Sequence, residues 1–466
     1  MSSRVARGFA WMLVAVLLAG CGGISPVPEP TPTQSPSTLT ARALTPSPSA
    51  QPTALQIDPS ALNGIHLQIW DAFIGPSADA FANQVALFNT SNPWHIVAYP
   101  TDYSDYPSLA AAVTDSLSTA GRPDVVAALP EQALAWKASG AVVDLNPYVN
   151  DPEWGLKSSD IADIPSAFWA QDISEGHRLG VPAERSTDLL YYNKTWAHEL
   201  GFTHPPANAQ EFRQQACAAN ASFKTGGDPQ KYGYGGWIVD TSWPAVLAWM
   251  TASGGGVAEE GGYHFQSEQN LSALQELKKL YDDHCAWISS QDTPFDAFAD
   301  RLALFVSGDL EEIPLAEEAM TRFHSQDEWT VLPYPGVSTS ALIAYGPSYA
   351  LLASNPAQQL AGWLFARWTL SPSNQVQWIQ SAWSLPLRTS VMDSLGGGRS
   401  GQPQWEAAAL ALPFVNGTPE LASWQKVSYV LQDGSLSIFR TNRTPAQIGP
   451  VLDQMDALAE ELSQQP

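Results

Sequence analysis

The chain has 466 residues, of which 22 are Lys or Arg and 46 are Asp or Glu, so its formal net charge is −24. This balance argues against a nucleic-acid partner, because binding to phosphate backbones needs clustered Lys and Arg side chains. Hydrophobic residues make up 44% of the chain, which excludes disorder over most of its length. A chain this long is expected to fold into two lobes rather than around one core.

The N-terminus predicts an export signal. Two arginines precede an apolar run over residues 9–18, which is too short to span a bilayer. The Leu-Ala-Gly-Cys sequence that ends at Cys21 resembles the lipobox of bacterial lipoproteins. This resemblance implies a signal peptide over residues 1–20, lipidation of Cys21 and anchoring to the outer face of the bacterial cytoplasmic membrane. The alternative is an ordinary secreted protein with a cysteine near its cleavage site.

The next segment has the composition of a tether. Residues 21–57 are rich in Pro, Ser and Thr and contain two charged side chains, Glu29 and Arg42. Such a segment has little to bury, so it predicts a lipid-anchored linker. No later apolar stretch approaches 18 residues, and we therefore expect a folded body that is attached to the membrane rather than embedded in it.

Two further cysteines, Cys217 and Cys285, follow the predicted signal. Export would place them outside the reducing cytoplasm, so the sequence predicts one disulfide, with two buried thiols as the alternative. The eight histidines are scattered and lack an HExxH pattern, and the cysteines lack CxxC spacing. No metal site is predicted.

From residue 65 onward, short apolar runs alternate with longer amphipathic segments, which is typical of an α/β lobe with a parallel sheet. Strands are predicted at 66–70, 95–99 and 124–128, and helices between them at 78–89 and 106–119.

Longer helices are predicted in the second half of the chain. The first spans 267–284, and the second follows a capping Thr444 with Pro445 in its first turn. The apolar stripe predicted for that last helix consists of Ile448, Leu452, Met455, Leu458 and Leu462.

Residues 180–194 carry the most specific pattern of the chain, Gly-Val-Pro-Ala-Glu-Arg-Ser-Thr-Asp-Leu-Leu-Tyr-Tyr-Asn-Lys. This segment resembles the first interlobe crossover of family 1 extracellular solute-binding proteins, the ABC-importer receptors that include maltose-binding protein. Five further segments resemble family segments in matching order, the fourth of them the second crossover region: 121–125, 206–212, 305–308, 332–336 and 384–388.

The resemblance implies an α/β, two-lobed periplasmic-binding-protein-like fold of type II, in which each lobe is a mostly parallel sheet flanked by helices. The N-terminal lobe would comprise residues 60–186 plus 330–372, and the C-terminal lobe 190–327 plus 375–466. Ligand would be captured in the cleft as the lobes close around a hinge. Both predicted disulfide cysteines would then lie in the same lobe and leave the hinge unlocked.

A neutral sugar needs aromatic planes and fixed polar groups in such a cleft. Trp70 ends the first predicted strand and Glu131 follows the third. Their alternatives are a core tryptophan and a solvated carboxylate. Arg185, Ser186 and Asp188 lie on the crossover and are predicted to border the cleft. The alternative for this segment is that Arg185 and Asp188 pair with each other.

Further candidates come from the second half of the chain. Asp240 and Trp243 resemble a cleft segment of the second lobe, with stapling of the next helix as the alternative for the tryptophan. Tyr345 and Gly346 resemble a turn at which the backbone approaches ligand. The remaining predicted aromatic planes are Trp383 and Trp424.

One segment departs from the family pattern. Residues 309–314 lack the usual Ala-Met and a later glycine with an aromatic residue. This departure removes one expected sugar-stacking side chain and leaves the solute open.

The predicted function is an extracytoplasmic solute-binding lipoprotein that captures a mono- or oligosaccharide and delivers it to the permease subunits of an ABC importer. We expect a monomer that has no cofactor. We also expect no enzymatic activity, since the chain has no G-x-S-x-G or Walker lysine motif. Residues 396–401 match G-x-G-x-x-G, but no predicted strand precedes them, which favours a loop. One alternative is a receptor for a glycerol phosphodiester, a peptide or another solute. The other is a tethered glycoside hydrolase that uses two carboxylates.

Overall fold

The structure is a computed structural model that describes residues 55–226, 229–290, 293–395 and 401–464. These residues belong to one contact unit, Gln51–Pro466. The predicted signal peptide, the lipidated Cys21, the tether up to residue 54 and the glycine-rich stretch 396–400 lie outside the described residues. Among the helices that are described, none combines the length and the apolar character needed to cross a membrane.

The strands of the described ranges are, in chain order, β1 (His66–Asp71), β2 (Val97–Asp102), β3 (Val125–Ala128), β4 (Ile173–Ser174), β5 (His177–Arg178), β6 (Val181–Pro182), β7 (Ser186–Asn193), β8 (Trp237–Ile238), β9 (Ala258–Glu259), β10 (Gly262–Tyr263), β11 (Ala286–Trp287), β12 (Phe305–Asp309), β13 (Trp329–Leu332), β14 (Tyr334–Pro335), β15 (Ser340–Tyr345), β16 (Ser348–Leu351) and β17 (Val415–Asn416).

The α-helices are α1 (Gly75–Ser91), α2 (Tyr106–Ser116), α3 (Pro130–Lys137), α4 (Asn146–Val149), α5 (Ser158–Ala162), α6 (Ser166–Ala170), α7 (Lys194–Glu199), α8 (Ala209–Gly226), α9 (Trp243–Ala252), α10 (Glu268–Asp282), α11 (Phe295–Ala299), α12 (Ile313–Arg322), α13 (Pro356–Thr369), α14 (Pro372–Ser381), α15 (Pro403–Leu410), α16 (Trp424–Ile438) and α17 (Ile448–Ser463). Short 3-10 helices lie at Pro59–Leu62, Pro229–Lys231, Leu310–Glu312, Thr389–Ser394, Leu412–Phe414 and Pro445–Gln447.

The first sheet has five strands in the order β2-β1-β3-β16-β6. β1 runs parallel to β2 and β3, and the chain returns through α1 and α2 between these strands. β16 pairs antiparallel with β3 and β6. In α1 the side chains of Phe81, Val85 and Phe88 are buried, because their spacing places them on one helical face. The predicted strand-helix alternation is confirmed.

The second sheet is built around β7, whose eight residues are all buried. β7 pairs antiparallel with β12, β13 and β15, while β8 runs parallel to β11 and β12. The α/β fold class is therefore confirmed, and both sheets contain parallel and antiparallel pairs.

The chain passes between the two sheets at 183–185, between β6 and β7, and at 346–347, between β15 and β16. The prediction that residues 332–336 form the second crossover is wrong, because β13, β14 and β15 all pair within the second sheet. The lobe boundaries as a whole stay a prediction.

Two predicted elements differ in detail. β2 begins at Val97 rather than at His95, since His95 has a φ of 55°, a left-handed conformation that interrupts a strand. In α17, Leu458 is exposed, although it was predicted in the apolar stripe. Ala459 is buried in its place, because it lies four residues after the buried Met455 and so continues the same helical face.

A disulfide joins Cys217 of α8 to Cys285, the residue before β11. It therefore connects a helix to the edge of the second sheet. The predicted pairing is confirmed, and the alternative of two thiols is wrong.

Candidate functional site

A cavity of about 490 Å³ lies between the two sheets. The residues that directly follow β1 and β3 line it, together with both passages between the sheets and the segments that start α9 and end β12. Ligands of α/β proteins usually bind beyond the carboxyl ends of parallel strands, as the residues after β1 and β3 are placed here. Small-molecule sites typically enclose roughly 300–1,000 Å³, so this cavity has the size of a binding site.

The structure brings most of the predicted ligand contacts together. Those that line the cavity are Glu131, Ser186, Asp188, Trp243, Tyr345, Gly346 and Trp424. Those that do not are Trp70, Arg185, Asp240 and Trp383. Contact with a ligand stays a prediction for each of them.

Two carboxylates face each other on the side of the second sheet. Asp188 and Asp309 are direct partners in the register of β7 and β12. The Tyr345 hydroxyl donates a hydrogen bond to Asp309 Oδ1, and the Ser242 hydroxyl donates to Asp188 Oδ2 at 3.1 Å. Burial and the neighbouring Asp188 hold the pKa of Asp309 well above its ordinary value, since like charges at close range disfavour ionisation of both groups.

Asp240 supports this cluster from behind the cavity wall. Its Oδ1 accepts a hydrogen bond of 2.7 Å from the backbone amide of Ser242. Burial and the nearby Asp188 raise the pKa of Asp240 to about 7. Because Asp240 fixes the turn that carries Ser242, it acts on the cavity through the turn rather than by lining it.

Two more carboxylates lie on the side of the first sheet. Glu184 Oε1 accepts hydrogen bonds from Ser77 Oγ at 2.6 Å and from Trp378 Nε1 at 3.2 Å. Burial and the nearby Glu311 raise the pKa of Glu184 to about 8. Burial also raises the pKa of Glu131 to about 7. Both carboxylates therefore lie close to the boundary between their charged and neutral forms at neutral pH.

Arg185 points away from the cavity and is completely buried. Its guanidinium donates to the carbonyl oxygens of Glu184, Gly346 and Pro347 at 2.8, 3.1 and 2.7 Å. It also lies 3.5 Å from Asp172. The alternative that Arg185 pairs with Asp188 is therefore wrong, because the arginine instead connects the two passages between the sheets.

Aromatic side chains form a second part of the wall. The ring of Trp243 lies 5.3 Å from that of Tyr345 and 5.4 Å from that of Trp424, both in edge-to-face geometry. Trp243 is the first residue of α9 and remains partly exposed. Edge-to-face contacts hold the rings in place, so they present fixed apolar faces to the cavity.

Gly346 allows the passage between the sheets to approach Glu184 closely. Its φ is 139°, and a Cβ placed there would lie 2.6 Å from the Glu184 carbonyl oxygen. Only glycine combines this backbone conformation with so close a contact. The glycine predicted at this turn is therefore explained by packing of the backbone beside the cavity.

The two remaining tryptophans lie elsewhere. Trp70 packs against Tyr103, with ring centroids 5.2 Å apart, and Trp383 packs against the main core. For Trp70 the structure fits the alternative of a core residue under the first sheet.

Several residues that line the cavity were missed from the sequence. They are Phe73, Tyr106, Gln171, Glu184, Asp309 and Glu311. One signal was present, because Asp309 follows the buried run 305–308, and a carboxylate at the end of a buried strand needs a polar environment. The others come from loops whose position depends on the fold.

The charged side chains of the cavity wall are all acidic. Six carboxylates line the cavity: Asp105, Glu131, Glu184, Asp188, Asp309 and Glu311. Among the residues that the structure describes, no Lys, Arg or His side chain lines it. The arrangement can grip a ligand by hydrogen bonds and aromatic contacts, and it favours neutral or positively charged ligands over anions.

Three known proteins are similar to this chain. The sn-glycerol-3-phosphate-binding periplasmic protein UgpB of Escherichia coli is 21% identical over 398 residues, which cover 80% of this chain and 87% of the relative. The sugar-binding protein MalE of Xanthomonas citri has a TM-score of 0.72 at 18% identity, covering 85% of this chain and 97% of that structure. UgpB of Mycobacterium tuberculosis in complex with glycerophosphocholine has a TM-score of 0.67 at 17% identity, covering 85% of this chain and 98% of that structure.

The fold and the cavity between its two sheets thus define a two-lobed α/β binding protein of the maltose-binding-protein-like class. A model of the bacterial extracellular solute-binding protein family matches residues 83–411. The chain belongs to this family, and the family and fold class predicted from the crossover segment are confirmed.

Proposed function

We propose that this protein is an extracytoplasmic receptor that captures a carbohydrate, a mono- or oligosaccharide, in the cavity between its sheets and delivers it to an ABC importer. The observation that supports this proposal is the combination of fixed aromatic faces with hydrogen-bonding carboxylates in one cavity. Aromatic faces match the C–H faces of a sugar ring, and carboxylates accept hydrogen bonds from its hydroxyls.

The same proposal extends to how the receptor works. Two lobes, one built around each sheet, would close on the ligand, and a lipid on Cys21 would hold the monomeric receptor beside its permease. Two comparisons support a receptor role for a different cargo as the alternative, since the relatives are named for glycerol 3-phosphate and glycerophosphocholine. The carboxylates that line the cavity oppose the phosphate of such a cargo.

A ligand screen tests the proposed function. The mature protein is incubated with mono- and oligosaccharides, glycerol 3-phosphate and glycerophosphocholine, and melting temperature and calorimetric binding are measured. A sugar at 100 times its dissociation constant is expected to stabilise the protein by about 2.7 kcal/mol. Chromatography of the same mixtures is expected to recover each sugar intact, because a receptor leaves its ligand unchanged. Cleavage would support the hydrolase alternative, and binding of glycerol phosphates alone would contradict the carbohydrate.

Two tryptophan variants sharpen the screen. Trp243→Ala removes an aromatic face of the cavity and is expected to weaken sugar binding by about tenfold or more. Trp70→Ala is the matched control, since Trp70 is also partly buried but does not line the cavity. Equal loss of binding in both variants would show that the effect is one of folding.

A further inference from the structure

None of the six carboxylates of the cavity forms an ion pair with a Lys, Arg or His side chain within the described ranges. The buried Arg185 acts on Glu131 and Glu184 electrostatically, from beyond ion-pair distance. Some other acids of low exposure do have such partners: Asp327 lies 2.5 Å from Arg301, and Asp163 lies 3.3 Å from Arg388. Burying a carboxylate without a close counter-charge is unfavourable, and the chain compensates the charge of this wall only in part.

Two buried polar groups on the wall also have unused hydrogen-bonding capacity. Glu131 is 7% exposed, and no other described residue donates a hydrogen bond to its carboxylate. Gln171 is 6% exposed, and its Oε1 has no partner, whereas its Nε2 donates to the Ala344 carbonyl oxygen at 3.0 Å. Buried polar atoms are normally satisfied. The unpartnered Gln171 Oε1 and the Glu131 carboxylate are both acceptors, so a donor on the ligand would add to their hydrogen bonding.

The aromatic part of the wall is compatible with a cation. Trp243, Tyr345 and Trp424 hold one another in edge-to-face contacts beside the acids. The faces of such rings carry negative electrostatic potential and attract ammonium groups within about 6 Å. Carboxylates and ring faces thus both attract positive charge.

We propose that the ligand captured in this cavity carries a protonated amine, which lies between Glu131 and Glu184 on one side and the Asp188–Asp309 pair on the other. An ammonium group offers three hydrogen-bond donors and no acceptor, which matches a wall that is rich in acceptors and includes the unpartnered Gln171 Oε1. A neutral sugar would satisfy the acceptors but leave the charge uncompensated, and a phosphate would add to it. This inference rests on the proposed receptor function and names its ligand class.

Amines from two sources share this chemistry, namely amino sugars and aliphatic polyamines. The test is calorimetry of the mature protein with matched probes: glucosamine against glucose, chitobiose (the deacetylated disaccharide) against cellobiose, then spermidine and glycerol 3-phosphate. We expect an amine to bind at least about tenfold more tightly than its neutral counterpart, the effect of one buried charge-assisted contact. Equal or tighter binding of the neutral sugars would overturn the inference.

A conservative variant locates the amine. Glu131→Gln keeps the size of the side chain and removes its charge, so it is expected to weaken amine binding about tenfold and to weaken binding of a neutral sugar clearly less. Asp453→Asn makes the same charge change at an exposed position of α17 and is expected to change neither. An equal loss for amine and neutral sugar in Glu131→Gln would contradict the placement.

The outcomes separate this inference from the proposed function. Tight binding of neutral sugars without preference for amines would leave the carbohydrate receptor standing and remove the cationic ligand. Binding of spermidine but of no saccharide would support the cationic ligand and contradict the carbohydrate. If neither the saccharides nor the amines bind, both the carbohydrate receptor and the cationic ligand would be overturned.

Discussion

Two charged clusters lie three residues apart in the chain, one around Arg185 in the passage between the sheets and one around Asp188 in β7, and they differ in how their charge is balanced. Around Arg185, the guanidinium meets Asp172 and three backbone carbonyl oxygens, and nothing of it is exposed. Around Asp188, the nearest ionisable partner in the sheet register is another acid, Asp309. The charge of the first cluster is balanced within the chain by Asp172, whereas the second needs protons or a ligand.

This difference separates a structural group from a binding group. A buried charge whose partners all come from the chain fixes the backbone, because removing it leaves several groups unsatisfied at once. A set of buried acids without a cation keeps raised pKa values and is costly while the cavity is empty. The comparison therefore assigns stability to Arg185 and ligand recognition to the acids around Asp188.

The largest effect is expected from Arg185→Met. The variant leaves Asp172 without its cation and the carbonyl oxygens of Glu184, Gly346 and Pro347 without a donor. Loss of one partner of a buried ion pair typically costs 3–5 kcal/mol, so the free energy of unfolding is expected to fall by about that amount. Chemical denaturation of the mature protein measures it.

The control for this prediction is Asp188→Asn, a replacement in β7 three residues after Arg185. It is expected to change the free energy of unfolding by less than about 1 kcal/mol, because it removes a charge from an acidic cluster. The double variant Arg185→Met/Asp172→Asn should recover part of the loss, since it removes the uncompensated carboxylate. Equal destabilisation by Arg185→Met and Asp188→Asn would break the comparison.

The passage between the sheets could be predicted from the sequence. Which of its side chains face the cavity could be predicted only by also applying the alternation of side chains along a strand. Residues 180–194 identified the family and placed Ser186, Asp188 and Arg185 near the cavity together. In a strand, alternate side chains point to opposite faces, and the structure follows this rule: Ser186 and Asp188 line the cavity, whereas Arg185 and Thr187 do not. Period-two alternation, applied to the start of β7, would have separated Arg185 from the other two.

Other parts of the cavity could not be predicted from local sequence. Gln171 and Glu184 are brought to the wall by pairing of segments that are distant along the chain, such as β16 with β3 and β6. Local patterns report periodicity within one element, and they carry no information about which loop meets which. The disulfide was predictable because only two cysteines followed the signal.

A second effect is expected from pH. Burial raises the pKa of Glu131 to about 7 and, with Glu311, the pKa of Glu184 to about 8, from ordinary values near 4.5. The folded state therefore binds more protons than the unfolded chain between pH 5 and 8. Stability contributed by a raised acid pKa is complete below the unfolded pKa and is lost as pH rises through the folded pKa.

The free energy of unfolding of the ligand-free protein is accordingly expected to fall between pH 5 and pH 8. A bound amine should flatten this dependence, because it stabilises the charged carboxylates. Denaturation at a series of pH values, with and without glucosamine, measures both effects. A stability that rises over the same range would show that the acids of the cavity are ionised at no cost.

The smallest effect, and the sharpest test of the comparison, is expected from Asp309→Asn. The amide resembles the protonated carboxyl that burial and Asp188 favour through the raised pKa of Asp309. Removing the ionisable group should stabilise the empty protein by about 1 kcal/mol at pH 8 and by less at pH 5, because the stability lost to a raised carboxyl pKa grows as pH rises above the unfolded value. Thermal denaturation at the two pH values detects the difference.

Asp327→Asn is the matched control for Asp309→Asn, because it makes the same replacement at an acid that has a cation. Burial acts to raise the pKa of Asp327, but hydrogen bonds from Arg301 and Asn193 lower it below its ordinary value. Its replacement should therefore destabilise the protein at pH 8. The two variants should therefore change the stability of the protein at pH 8 in opposite directions. The neighbours of Asp327 stabilise its charged form, whereas those of Asp309 disfavour its charged form. Destabilisation by both would mean that Asp309, like Arg185, serves the fold.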